Sequence, residues 1–97
     1  MEYIQVSYEY EEKIAIVTLN RPEMRHAFNT EMAKELLTVF QSFNEQPVRV
    51  IILTSSTEDA FCSGADVKER KGMSEAQWTE QHHLFEQMFQ AVANCKQ

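Results

Sequence analysis

The chain has 97 residues, room for one domain with a small core. Its composition, 43% hydrophobic and 25% charged, is that of an ordinary globular protein. A net charge of −6 argues against nucleic-acid binding, which needs a basic face.

Ile4, Val6, Tyr8 and Tyr10 alternate with Gln5, Ser7 and Glu9, which predicts a half-buried strand over Tyr3–Tyr10. Glu11–Lys13 is a polar break suited to a hairpin turn, although it holds no Gly or Asn. Ile14–Leu19 is nearly all apolar and predicts a second strand covered on both faces. Pro22 ends it. Asn29 or Thr30 can cap a helix with Glu31 in its first turn, and Met32, Leu36, Val39, Phe40 and Phe43 give that helix one apolar stripe. Asn44–Pro47 stops it, and Val48–Leu53 reads as a third, central strand. A loop follows and turns into a short helix near Asp66. Ser74 then caps a last helix whose apolar face carries Trp78, Phe85, Met88, Phe89 and Val92. The order is β-β-α-β-loop-α, one α/β domain over residues 1–97. The last helix has a large apolar face and no strand after it, so the chain is expected to be part of a longer fold.

No apolar run is as long as a membrane span, and Met1-Glu2-Tyr3 lacks the basic and apolar regions of a secretory leader. Cys62 and Cys95 form no C-x-x-C pair. Free thiols and a cytoplasmic location are expected, with no membrane or nucleic-acid partner.

The stretch Ala60-Phe61-Cys62-Ser63-Gly64-Ala65-Asp66-Val67-Lys68-Glu69-Arg70 carries the chemistry. Gly64-Ala65 after a strand and loop offers backbone N–H groups with little side-chain cover, and such amides can hold a developing oxyanion. On the dipeptide alone, a sharp turn at Gly64 is the simpler reading. The segments around it change the balance. Leu19-Asn20-Arg21-Pro22-Glu23-Met24-Arg25-His26-Ala27-Phe28-Asn29, Val48–Thr54 and Ala60–Glu69, in that order and spacing, resemble the N-terminal part of the enoyl-CoA hydratase/isomerase (crotonase) superfamily. Ala65–Arg70 with Gly72-Met73-Ser74 is further similar to its methylglutaconyl-CoA hydratases of leucine breakdown.

The resemblance implies a ββα spiral acting on coenzyme A thioesters, with no metal and no covalently bound cofactor. Hydration or isomerisation of the acyl group is the implied activity. Ala65 would supply one of two N–H groups that grip the thioester carbonyl oxygen. Ser63, Ala65, Asp66 and Val67 would line the adenine and pantetheine path, largely through main chain. Arg25 and Lys68 match basic positions that meet the phosphates, and His26 and Ala27 lie beside them. His26 stands where Asn is usual and is read as a loop variant or a nucleotide contact. Phe28 replaces a usual Leu or Met, and Ser55-Ser56-Thr57 replaces a Gly-containing turn. The second oxyanion N–H and the two catalytic Glu residues belong to later segments of the family, beyond Gln97. This chain alone is therefore expected to be an inactive hydratase; the alternative is a self-associating or CoA-binding piece without turnover. Trimers and dimers of trimers are the family's assemblies. RNA binding through a lysine-rich helix, found in one relative, is not expected, because Glu31–Phe43 holds only Lys34.

Other residues have plainer readings. His83 and Glu86 share a helix face but lack further converging ligands, so a solvated face is expected. Cys62 beside Phe61 reads as a packed small residue. Arg21 beside Pro22 reads as stabilising its turn.

Overall fold

The alternating residues of the first segment form β1, Ile4–Glu9, which pairs antiparallel with β2, Ile14–Leu19. The computed structural model describes residues 1–97. The hairpin turns without glycine because Lys13 adopts a left-handed conformation at φ +59°. The Lys13 carbonyl accepts the Arg49 N–H at 2.8 Å, which ties the hairpin to the entry of β3, Val50–Ser55. β3 runs parallel to β2, with Ile14 opposite Val50 and Leu19 opposite Ser55. The sheet order is β1-β2-β3.

Two expectations change here. β2 is not covered on both faces: Ala15, Val17 and Leu19 are buried, while Ile14, Ile16 and Thr18 are only half-buried. β3 is an edge strand, begins two residues later than Val48, and leaves Val50 and Ile52 exposed. An apolar run records what a strand can bury, not which neighbours stand beside it.

α1, Thr30–Ser42, starts at Asn29, whose side chain accepts the Met32 N–H at 2.8 Å. All five residues of the predicted stripe are buried. Glu35 on the same helix accepts the N–H groups of Tyr3 and Ile4 at 3.0 and 3.3 Å, anchoring the start of β1. A short α2, Val67–Lys71, is capped by Asp66, and α3, Glu75–Ala93, opens with a Ser74–Gln77 capping box. One core joins Ile4, Ala15, Val17 and Leu19 of the sheet to the α1 stripe and to Phe85 and Met88 of α3. On α3, Trp78 and Phe89 remain exposed, so only part of its predicted apolar face is used. No helix is long and apolar enough to cross a membrane.

Candidate functional site

Arg21 to Phe28 forms a tight turn at the exit of β2. A 3-10 turn at Pro22–Met24 is followed by two left-handed residues, Arg25 at φ +51° and His26 at +59°. The imidazole of His26 has no solvent exposure. Its Nδ1 accepts the Arg21 N–H at 3.0 Å, which makes the neutral ring carry its proton on Nε2, 2.8 Å from Oγ1 of Thr57. His26 thus locks its own turn to the loop after β3.

That loop returns alongside the turn. Ser63 N–H donates to the Arg25 carbonyl at 3.1 Å, Phe28 N–H to the Gly64 carbonyl at 2.8 Å, and Asp66 N–H to the Phe28 carbonyl at 2.8 Å. The last two bonds make a parallel bridge between Phe28 and Ala65. In a parallel bridge the central residue of the second strand turns its own N–H to the opposite side. The Ala65 N–H accordingly has no acceptor within the chain. Gly64, at φ +100°, makes the bend that precedes it, and a Cβ there would meet nothing within 4 Å. Glycine is required for backbone conformation, not for space. Gly64→Ala should therefore cost about 1–2 kcal/mol by urea unfolding. A neutral result would mean the bend is unstrained.

The loop is pinned from below by charge. Arg21 Nη2 lies 2.9 Å from Oδ2 of Asp66, with the two side chains 12% and 5% exposed. Arg21 Nη1 also donates to the Ala27 carbonyl at 3.0 Å. Burial pushes the Asp66 carboxyl upward, but the Glu69 N–H and the Arg21 guanidinium together outweigh it and hold the group below the ordinary carboxylate range. As pH falls, the unfolded chain takes up the proton first. The stabilisation is complete above the unfolded value of about 3.9 and is lost as pH drops through the lower folded value. Urea titrations from pH 7 to 3 should show this acid loss in the wild type and a smaller loss in Asp66→Asn.

A cavity of about 440 Å³ opens beside the bridge, lined by Phe28, Ala65, Arg70, Trp78, Phe85 and Phe89 among others. Phe28 meets Phe85 and Phe89 edge-on, with centroids 6.2 and 6.1 Å apart. A slightly larger hollow of about 500 Å³ is lined by Thr30, Lys34, Glu69 and Gln81. There Glu69 accepts Thr30 N–H and Oγ1–H and the Gln81 amide, so those polar groups are already paired. The cavity at Ala65 combines an apolar wall with an unpaired backbone donor, the pattern of a ligand site.

The expected site residues fall into three groups. Ser63 and Ala65 sit together on the loop, and Val67 and Lys68 are exposed at the start of α2. Arg25 is exposed but engaged, its guanidinium 3.2 Å from Asp59. His26 and Asp66 already have partners within the chain. The His26 ring is sealed inside the turn. Asp66 commits both carboxylate oxygens, its N–H and its carbonyl to Arg21, Glu69, Phe28 and Arg70. Ala27 is buried, with its carbonyl held by Arg21. Burial pushes the Cys62 thiol up, partly countered by the Gly64 N–H, so it stays a packed thiol. His82 pairs with Glu86 at 3.0 Å on the exposed face of α3. Arg70 and the Glu69–Thr30–Gln81 network were not singled out from the sequence; within a string of charges they look like solvent-facing residues.

An α/β unit whose turn and loop present a free amide at the rim of an apolar cavity defines the class of site. The family model for enoyl-CoA hydratase/isomerase matches residues 9–97. The chain is 43% identical over 67 residues to an enoyl-CoA isomerase/hydratase of Zymoseptoria tritici, covering 65% of this chain and 22% of that protein. It is 42% identical over 77 residues to YngF of Bacillus subtilis, named for the same family, covering 77% and 29%. A crystal structure of enoyl-CoA hydratase from Bacillus anthracis superposes with a TM-score of 0.92 at 32% identity, over 99% of this chain and 37% of that one. This chain belongs to the enoyl-CoA hydratase/isomerase family. It spans less than a third of those two relatives' length.

Proposed function

We propose that this chain forms the coenzyme A-binding, thioester-gripping part of an enzyme that hydrates or isomerises acyl-CoA thioesters. The observation that carries the reading is the Ala65 N–H, without an acceptor, on a loop bordering an apolar cavity. Attack on or proton transfer within an enoyl thioester builds enolate charge on the carbonyl oxygen, and a preorganised amide answers that charge best where water is excluded. Losing one such donor typically lowers turnover by about 10²–10³. Ser63 and Val67 border the path through main chain, and Arg25 and Lys68 face the phosphates from outside. Arg25 reaches them by exchanging Asp59, whose exposed position makes that exchange inexpensive. Acid–base carboxylates outside residues 1–97 complete the reaction, so the chain alone binds without turnover.

Calorimetric titration with crotonyl-CoA tests this, beside Ala65→Pro, which removes the N–H, with circular dichroism as the folding check. The wild type should bind, and the variant should bind about tenfold more weakly while folded. Equal affinity in a folded variant would remove Ala65 from the site. Efficient hydration of crotonyl-CoA by the chain itself would contradict the assignment of the acid–base groups.

A further inference from the structure

The His26 imidazole is fully buried and joins two segments that are distant in sequence. The Arg21 N–H of its own turn donates to Nδ1 at 3.0 Å, and Oγ1 of Thr57, in the loop after β3, lies 2.8 Å from Nε2. A hydrogen bond from the Thr57 side chain is also the first cause holding the Asp59 carboxyl below its ordinary range. With its one proton given to Asp59, the hydroxyl accepts from Nε2–H, so both ring nitrogens specify the same neutral tautomer. Acid must then place a second proton on Nδ1, where the Arg21 N–H already points. Two N–H donors cannot share that line, and a buried donor left without an acceptor is costly. The charges around the ring do not offset this. Arg21 of the turn is answered by Asp66 at the start of α2, at 2.9 Å, and Arg25 of the turn by Asp59 of the loop, at 3.2 Å. Glu23 and Glu58 are exposed. Two cations matched by two carboxylates leave the hydrogen bonds to decide. His26 also sits in left-handed backbone at φ +59°, so the turn holds strain that is released when the ring lets go. The loop toward Ala65 hangs on this turn, since Ser63 N–H donates to the Arg25 carbonyl at 3.1 Å.

We propose that His26 is a proton-operated latch. Neutral, it ties the Arg21–Phe28 turn to the loop after β3; protonated, it releases both and loosens the loop over Ser63–Ala65. An unfolded or opened chain offers the imidazole to water and binds the proton freely, so acid favours the open form. The latch works whether or not the Ala65 N–H grips a thioester, and its test needs no ligand.

Urea unfolding of wild type and His26→Asn from about pH 7.5 to about pH 5.5 brackets the ordinary imidazole range. Asn tolerates left-handed backbone and offers an acceptor and a donor, but takes up no proton. Over that range the wild-type unfolding constant should rise about tenfold more than that of His26→Asn. His82 and His83 are exposed and present in both proteins, so they leave the difference unchanged. An equal pH response in the two proteins overturns the proposal. A second measurement uses the wild type alone, should the variant fail to fold. The His26 ring proton resonances and the hydrogen-exchange protection of the Arg21 and Ser63 amides are followed over the same pH range. Ring titration and loss of protection at both amides should run together. A ring that titrates while both amides stay protected, or that takes up no proton by about pH 5.5, overturns the latch.

Discussion

Arg21→Ala is expected to destabilise the chain by about 3–5 kcal/mol, because it leaves the Asp66 carboxylate buried without its cation. Asp66 is 5% exposed, and its other oxygen has only the Glu69 N–H. The same truncation frees the Ala27 carbonyl and removes the guanidinium from over the Tyr3 ring. A domain of this length has a total stability of about 5–15 kcal/mol, so the variant should sit near its unfolding threshold at 25 °C. Urea unfolding measures it directly. The comparison that isolates charge is the double variant Arg21→Leu with Asp66→Asn. Asn keeps the α2 cap, and removing both charges together should cost less than Arg21→Ala alone. A loss below about 1 kcal/mol for Arg21→Ala would mean the pair behaves as a solvated surface bridge. The consequence reaches the site, since Asp66 directly follows Ala65 and its N–H forms one half of the bridge to Phe28.

Phe85→Ala should cost a similar amount, about 3–5 kcal/mol, by emptying a packed position. Phe85 is 7% exposed, joins the core of the sheet and α1, meets Phe28 edge-on and lies under the Arg70 guanidinium. Trp78, in the same cavity wall, is 43% exposed and rests on His82, with ring centroids 5.3 Å apart. Trp78→Ala should therefore cost no more than about 1 kcal/mol. Both changes enlarge the cavity and should weaken thioester binding, so stability tells them apart. Equal stability losses would mean that α3 is not seated on the core as described.

The elements that bury one face were legible from sequence periodicity. The α1 stripe from Met32 to Phe43, the Asn29 and Ser74 caps and the alternation of β1 all reflect contacts that repeat with the backbone's own period. The environment of β3 was not legible, because Val50-Ile51-Ile52-Leu53 has the same composition at an edge as at a centre. The site was legible where a backbone requirement fixed the residue. Gly64 at φ +100° announces the bend that frees the next amide. It was not legible where side chains cross long stretches of sequence. Arg21 reaches Asp66, His26 reaches Thr57 and Gln81 reaches Thr30, and none of these spacings marks a partner. The resemblance therefore places His26 and Asp66 beside the CoA path without showing that their side chains also hold the loop next to Ala65.

The most direct test of the account is the amide resonance of Ala65 in a ¹⁵N-labelled chain titrated with crotonyl-CoA and, separately, with free CoA. The Ala65 amide proton should move downfield with the thioester, as an N–H gaining a carbonyl acceptor does, and move little with CoA lacking the acyl group. An Ala65 resonance that stays in place at saturating crotonyl-CoA, while other loop residues shift, would contradict it.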